Sequence, residues 1–450
     1  MRLRSTLALS PLLALALLLP AGCADSFGHT TAEQAAHAYA RQEIDAAPPH
    51  GNLPDYSLPP AKLAQARRLS PTVATLRLAG IAWGILQLVL LLALGGIARM
   101  RDCALAASRN RWAQAGVFVL LLLFTRVLLN LPLSLFGHHL SLRYGFSIQR
   151  WLSWFADLAK GFAINWIVMV LLAMLLFWIM SLAPRRWWLV FWAAAVPIVL
   201  LSVYLSPILI DPLFNKFEPL ALHHPELTAQ LEHMGVPPAR QFLMLASAKV
   251  TTPNAYVTGL AGSKRVVVWD TSLTNGNGVT PGVLWMVGHE CGHFALNHVL
   301  QGVLLSLAAL PLVLWLAFRF LHAMLRRFGP RWRIPSQHDW GALAVLLLAY
   351  SLINLVQEPI SNDISRHVEH NADIYGEEAI HGLVPDPQAA VRDEIDADGL
   401  RSLDDPNPSP LVVFWSYNHP PTGYRAAFGK AYNPWAPGME PKYFKAGNRE

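Results

Sequence analysis

Hydrophobic and polar positions alternate along this chain in long blocks. Residues 78–98 contain no charged side chain, and similar apolar stretches follow at 113–136, 161–183, 187–209, 299–318 and 340–356. Runs of that length predict six helices able to cross a bilayer, although 340–356 is short for one. Arg126 is the clearest charge inside a run; it fits either a cavity lining or an ion pair within the bundle. Cations gather in alternate connections: Arg99, Arg101, Arg109 and Arg111 after the first run, Arg185 and Arg186 after the third, and Arg319 to Arg333 after the fifth. Loops rich in Arg stay on the cytoplasmic side, so the polar segments 210–298 and 357–450 are expected together on the opposite face.

Between these runs the pattern changes. Residues 254–259 and 263–270 are rich in strand formers about a Gly-containing turn, which predicts a β-hairpin. Residues 281–298 keep helical spacing without an internal proline and are expected to run straight into the fifth span. A further helix is expected over about 362–380. At the amino terminus Arg2 and Arg4 precede an apolar run at 7–19 and then Pro20, Ala21, Gly22 and Cys23, which reads as an export signal, with a lipidated Cys23 or an uncleaved first membrane helix as the two outcomes. Residues 24–76 are polar and Pro-rich, fitting an extended segment or short helices outside the membrane.

Composition agrees with the pattern: 54% of the 450 residues are hydrophobic and 14% charged, far from the balance of a soluble domain. The net charge of +6 belongs to the loops, and no nucleic-acid partner is expected. Cys23, Cys103 and Cys291 are too few and too dispersed for a disulfide framework.

One segment carries chemistry. His289-Glu290-Cys291-Gly292-His293 is an H-E-x-x-H motif, and on a helix histidines four apart lie one turn apart on one face, so both reach one zinc ion. Glu290 projects beside the metal, placed to act on water at the open coordination position. Cys291 reads as a small buried spacer. The sixth residue after His293 is Val299, so a third histidine from the same helix is missing. A carboxylate from a later helix is the alternative. Glu369 is favoured because Asp373 lies four residues on, where a carboxylate orients a histidine ligand; Glu358, Glu377 and Glu378 compete. His367 and His370 read as solvated helix residues.

With those residues in view the chain resembles the membrane-embedded zinc metallopeptidases of the type I CAAX prenyl endopeptidase family, bacterial branch. The matching stretches are 143–149 with Asp157 and Lys160, 211–217, Asn254 to Tyr256, the zinc motif and the Glu369/Asp373 helix. The resemblance implies one zinc per chain on His289, His293 and Glu369, Glu290 as catalytic base, and Asp373 as an orienting or proton-donating residue. It also implies roles for His419, as an oxyanion stabiliser, and for Arg425 in substrate binding; Tyr417 and Asn418 stand where relatives commonly carry threonine. An extended peptide is expected to pair with the hairpin edge at Asn254, Ala255 and Tyr256.

The expected fold is mainly α: a polytopic membrane protein of six or seven transmembrane helices with a gluzincin-type zinc peptidase domain and a small β-hairpin or sheet. Its expected divisions are 1–23 (signal or anchor), 24–76 (extracytoplasmic), 77–210 (four membrane helices), 211–300 (first catalytic part), 301–357 (two membrane helices) and 358–450 (second catalytic part). The expected partners are a peptide or protein substrate and the lipid bilayer, and the expected place is a bacterial inner membrane with a periplasmic or intramembrane site. A transporter or receptor with a structural zinc site is the competing reading.

Overall fold

The computed structural model describes residues 29–273 and 279–445; the expected signal or anchor with Cys23 lies outside them. Six long apolar helices are present, Pro60–Ala93, Arg111–Arg143, Trp151–Leu182, Trp187–Phe214, His298–Trp332 and Ala342–Ala379. They account for all six predicted runs. Many large apolar side chains on them face outward, among them Leu90, Leu128, Leu152, Trp178 and Leu182. Such a surface suits hydrocarbon and not water. Inside the bundle, Phe118, Leu122, Met180 and Trp340 are fully buried in one cluster.

The three basic connections meet at one end. Arg101 donates to Asp339 at 2.7 Å, Arg333 to Asp102 at 2.7 Å, and Gln337 to the Pro184 carbonyl at 3.2 Å. Arg126 lies beside Gly84, and its Nε has no hydrogen-bond partner among the described residues.

At the other end the chain builds a four-stranded sheet, more than the hairpin expected. Its strands are β1 (Phe217–Pro219), β2 (Gln241–Met244), β3 (Ala255–Thr258) and β4 (Arg265–Trp269), in the order β1-β2-β4-β3. β3 and β4 form the expected antiparallel pair, with Ala255 opposite Val268, while β2 runs parallel to β4, with Gln241 opposite Val266. Val266, Val267 and Val268 are all fully buried because both faces of this central strand are covered. β3 is an edge strand.

Two helix boundaries differ from expectation. The motif helix, Pro281–Ala295, starts at Thr280, whose side chain accepts from the Val283 amide, and it does not run into the fifth span. Asn297 takes a left-handed conformation (φ 57°), and a new helix begins at His298. Asn tolerates that region better than most residues, so the break is local chemistry. Conversely, the sixth span and the helix expected over 362–380 are one element, Ala342–Ala379, with Pro359 inside it. The apolar run is short; the helix is not. We call this element the glutamate helix.

The polar segment before the first span holds helix Thr31–Ala46, capped by Thr30. Its buried Ala32, Ala36 and Ala40 recur every fourth residue and pack on Ala427 and Phe428 of helix Thr422–Ala431.

Candidate active site

The motif helix and the glutamate helix cross with their backbones in contact. A β-carbon on Gly376 would lie 2.6 Å from the His289 amide nitrogen, and one on Gly292 would lie 2.9 Å from Tyr375 Cβ. Only glycine permits that approach. It brings the motif histidines within reach of carboxylates 76 to 84 positions away.

His289 Nε2, His293 Nε2 and Glu369 Oε2 form a triangle with sides of 3.1, 3.1 and 3.3 Å. The remaining nitrogen of each ring is occupied: His289 Nδ1 lies 2.8 Å from Asp373 Oδ1 and His293 Nδ1 lies 2.9 Å from His298 Nδ1. With its proton held toward Asp373, neutral His289 turns a lone pair to the triangle's centre. Donor atoms this close need a proton or a cation between them. Ligands held about 2.1 Å from a tetrahedral zinc stand roughly 3.4 Å apart, so the donor set and its spacing fit that metal. In the metal-free chain burial works against a charged His289, yet the hydrogen bonds to Asp373 and Glu369 outweigh it and raise the ring to about 10.

Asp373 lies behind the triangle. One of its oxygens meets His289, and Arg425 grips both, Nε at 2.9 Å and a terminal nitrogen at 2.6 Å. Arg425 also lies over the Trp285 ring, 5.3 Å from its centroid. Burial disfavours the guanidinium charge, but Asp373 more than compensates and raises its pKa. The resemblance implies a substrate-binding role for Arg425; the structure pairs its guanidinium with Asp373. Asp373 thus has both oxygens engaged, one of them with His289. Among the competing acids, Glu378 is taken up by the Tyr432 hydroxyl and the amides of Lys442, Tyr443 and Phe444, and Glu358 pairs with Arg77.

Glu290 extends from the motif helix beside these ligands, and burial, with Glu369 nearby, raises its carboxyl above the usual range. His419 arrives from the loop before Pro420, its Nε2 3.1 Å from Glu369 Oε2 and about half of its side chain exposed. Cys291 is buried and free. The alternation along β3 turns Ala255 and Val257 toward the motif-helix core and Tyr256 to the opposite side, against Met244 and Val267. Two contributors escaped the sequence reading: His298, which backs His293, and the glycines of the crossing.

The description of peptidase family M48 matches residues 223–431, and that of a CAAX prenyl protease amino-terminal region with five membrane helices matches residues 52–216. A Bacillus subtilis (strain 168) protein described as the uncharacterized metalloprotease YhfN is 31% identical over 371 residues, which are 80% of this chain and 84% of the relative. The chain belongs to peptidase family M48. This M48 protein is also similar to CAAX prenyl protease 1 of Saccharomyces cerevisiae, 27% identical over 68% of this chain and 70% of the relative. Its fold is that of the crystal structure of S. mikatae Ste24p, with a TM-score of 0.69 at 21% identity, covering 96% of this chain and 100% of the other. It is therefore a membrane metallopeptidase, an enzyme that hydrolyses peptide bonds with a metal cofactor. The transporter or receptor reading is set aside.

Proposed function

We propose that this peptidase is a zinc-dependent endopeptidase of a bacterial inner membrane, cutting membrane-associated or misfolded peptides on the periplasmic side. The observation that carries the reading is the triangle of His289 Nε2, His293 Nε2 and Glu369 Oε2 with its sides of 3.1 to 3.3 Å. A zinc ion held there supplies Lewis acidity, polarising a carbonyl and acidifying water toward a pKa of about 7.

The remaining work falls to side chains. Glu290 accepts the proton of the attacking water and returns it to the departing amine, a task its raised carboxyl suits. His419 stands at the rim, where its imidazole N–H can donate to the oxygen that gains charge. The free edge of β3 offers an extended peptide strand-like hydrogen bonds with little side-chain choice. Asp373, held by Arg425, keeps His289 in one tautomer. The clustering of the three basic connections at the far end supports a cytoplasmic location for that end, hence a periplasmic site.

The test is Glu290→Gln in the full chain. Hydrolysis of a peptide library should fall by about 10³-fold or more while bound zinc is unchanged, and accumulating peptides in cells carrying the variant should identify the substrate class. Undiminished hydrolysis by a folded, zinc-loaded Glu290→Gln protein would sink the reading.

A further inference from the structure

A second histidine cluster takes no part in that chemistry. His29, Glu33 and His37 stand four residues apart on one face of the amino-terminal helix and its approach. This helix precedes both family-matched stretches. Glu33 has no exposed surface. Its Oε1 lies 2.6 Å from His29 Nδ1 and 3.8 Å from His37 Nε2. The glutamate helix adds His370, which the sequence reads as solvated and the structure buries to 8% exposure. His370 Nε2 has no hydrogen-bond partner among the described residues and points at the same oxygen from 3.7 Å. His37 is held from behind, its Nδ1 meeting the Tyr424 hydroxyl, so that Nε2 is the nitrogen turned to Glu33.

Hydrogen bonding leaves this arrangement incomplete. His29 and Lys442, the latter 3.2 Å from each Glu33 oxygen, already supply the carboxylate with donors, and a buried imidazole nitrogen remains unpaired. His29, Glu33 and His37 bring ligand atoms within 4.8 Å of one another, and the unpaired His370 nitrogen faces the same carboxylate oxygen; together they offer a donor set for a zinc-class dication, and Tyr424 behind His37 is the outer partner such a ring requires. We propose that His29, Glu33, His37 and His370 bind a second transition-metal dication, which clips the amino-terminal helix to the helix that carries Glu369. With His370 completing the three ligands of the amino-terminal helix the site is closed, and its role is structural. Lys442 shares Glu33 with the ion, so this metal is the more weakly held of the two.

Metal analysis of the full chain, purified in detergent and dialysed against zinc chloride, tests the site. Two equivalents are expected in the unaltered protein and one in each of His289→Ala/His293→Ala and His29→Ala/His37→Ala. Cobalt chloride added to His289→Ala/His293→Ala should give the intense visible bands of a four-coordinate site, absent once His29 and His37 are also replaced. One equivalent that disappears with His289 and His293 would overturn the second site and leave the catalytic reading standing. Metal retained only through His29 and His37 would do the reverse. If His289→Ala/His293→Ala does not fold, the amino-terminal double variant decides alone: unchanged metal content overturns the proposal.

Discussion

Glu369 and His370 are consecutive, yet they face different histidine clusters, because one residue turns a helix by about 100°. The two clusters use similar side chains and are built in different ways. At the first, two helices touch backbone to backbone through glycines, and each histidine has a second partner that fixes its direction. At the second, the ends of the chain come together: Ala32, Ala36 and Ala40 seat one helix on Phe428, and Lys442 reaches in from the tail. An open triangle beside a free general base suits turnover, whereas four donors around a fully buried carboxylate suit holding parts together.

Removing a ligand from the first cluster should break the comparison most sharply. His293→Ala is expected to abolish peptide hydrolysis and release about one equivalent of metal, measured on the purified protein, with the amino-terminal metal untouched. Asp373→Asn keeps the shape but loses the charge that holds His289 and Arg425. Metal affinity at the first cluster should fall roughly 10- to 100-fold in a chelator competition, with the second cluster unaffected. Gly376→Ala tests the crossing itself. The added carbon meets the His289 amide, and destabilisation of about 1–3 kcal/mol in a denaturant titration is expected, along with weaker binding at the triangle.

A third buried carboxylate shows what the absence of such company costs. Glu394 Oε1 has no hydrogen-bond partner among the described residues, and Arg401 stands 3.9 Å away. Burial raises its carboxyl from 4.5 to about 7, Arg401 lowering it only in part. The folded chain therefore holds this proton more tightly than the unfolded chain, and the contribution, full below about pH 4.5, is lost as pH rises through 7. Glu394→Gln should raise the melting temperature at pH 8, by an effect on the order of 3 kcal/mol, and leave it nearly unchanged at pH 4.5. An equal change at both pH values would show that Glu394 carries no such penalty.

The sequence makes some of this architecture readable. Apolar runs of about 20 residues place the six spans, and strand formers around a turn place β3 and β4, since both signals are local. β1 and β2 are only three and four residues long and pair with segments far along the chain, so no local period announces them. The break at Asn297 and the continuity through Pro359 run against local expectation for a related reason. A left-handed residue interrupts a helical pattern without changing its composition, and neighbouring elements support a proline inside a long helix. Spacing brings forward His289, Glu290, His293 and the Glu369/Asp373 pair, which the fold places together. Spacing is silent on how closely two helices pass, and so on the glycines that set the distance. It is equally silent on His370, whose burial depends on a helix more than 300 residues upstream.

The glutamate helix has a mechanical side as well. At 38 residues it is a rod of about 57 Å, anchored among the apolar spans at one end and carrying the acid ligand near the other. A thinner or thicker bilayer that tilted the anchored half would carry the far half, and Glu369 with it. Pro359 removes one backbone hydrogen bond between the two, and is the joint at which that lever can flex.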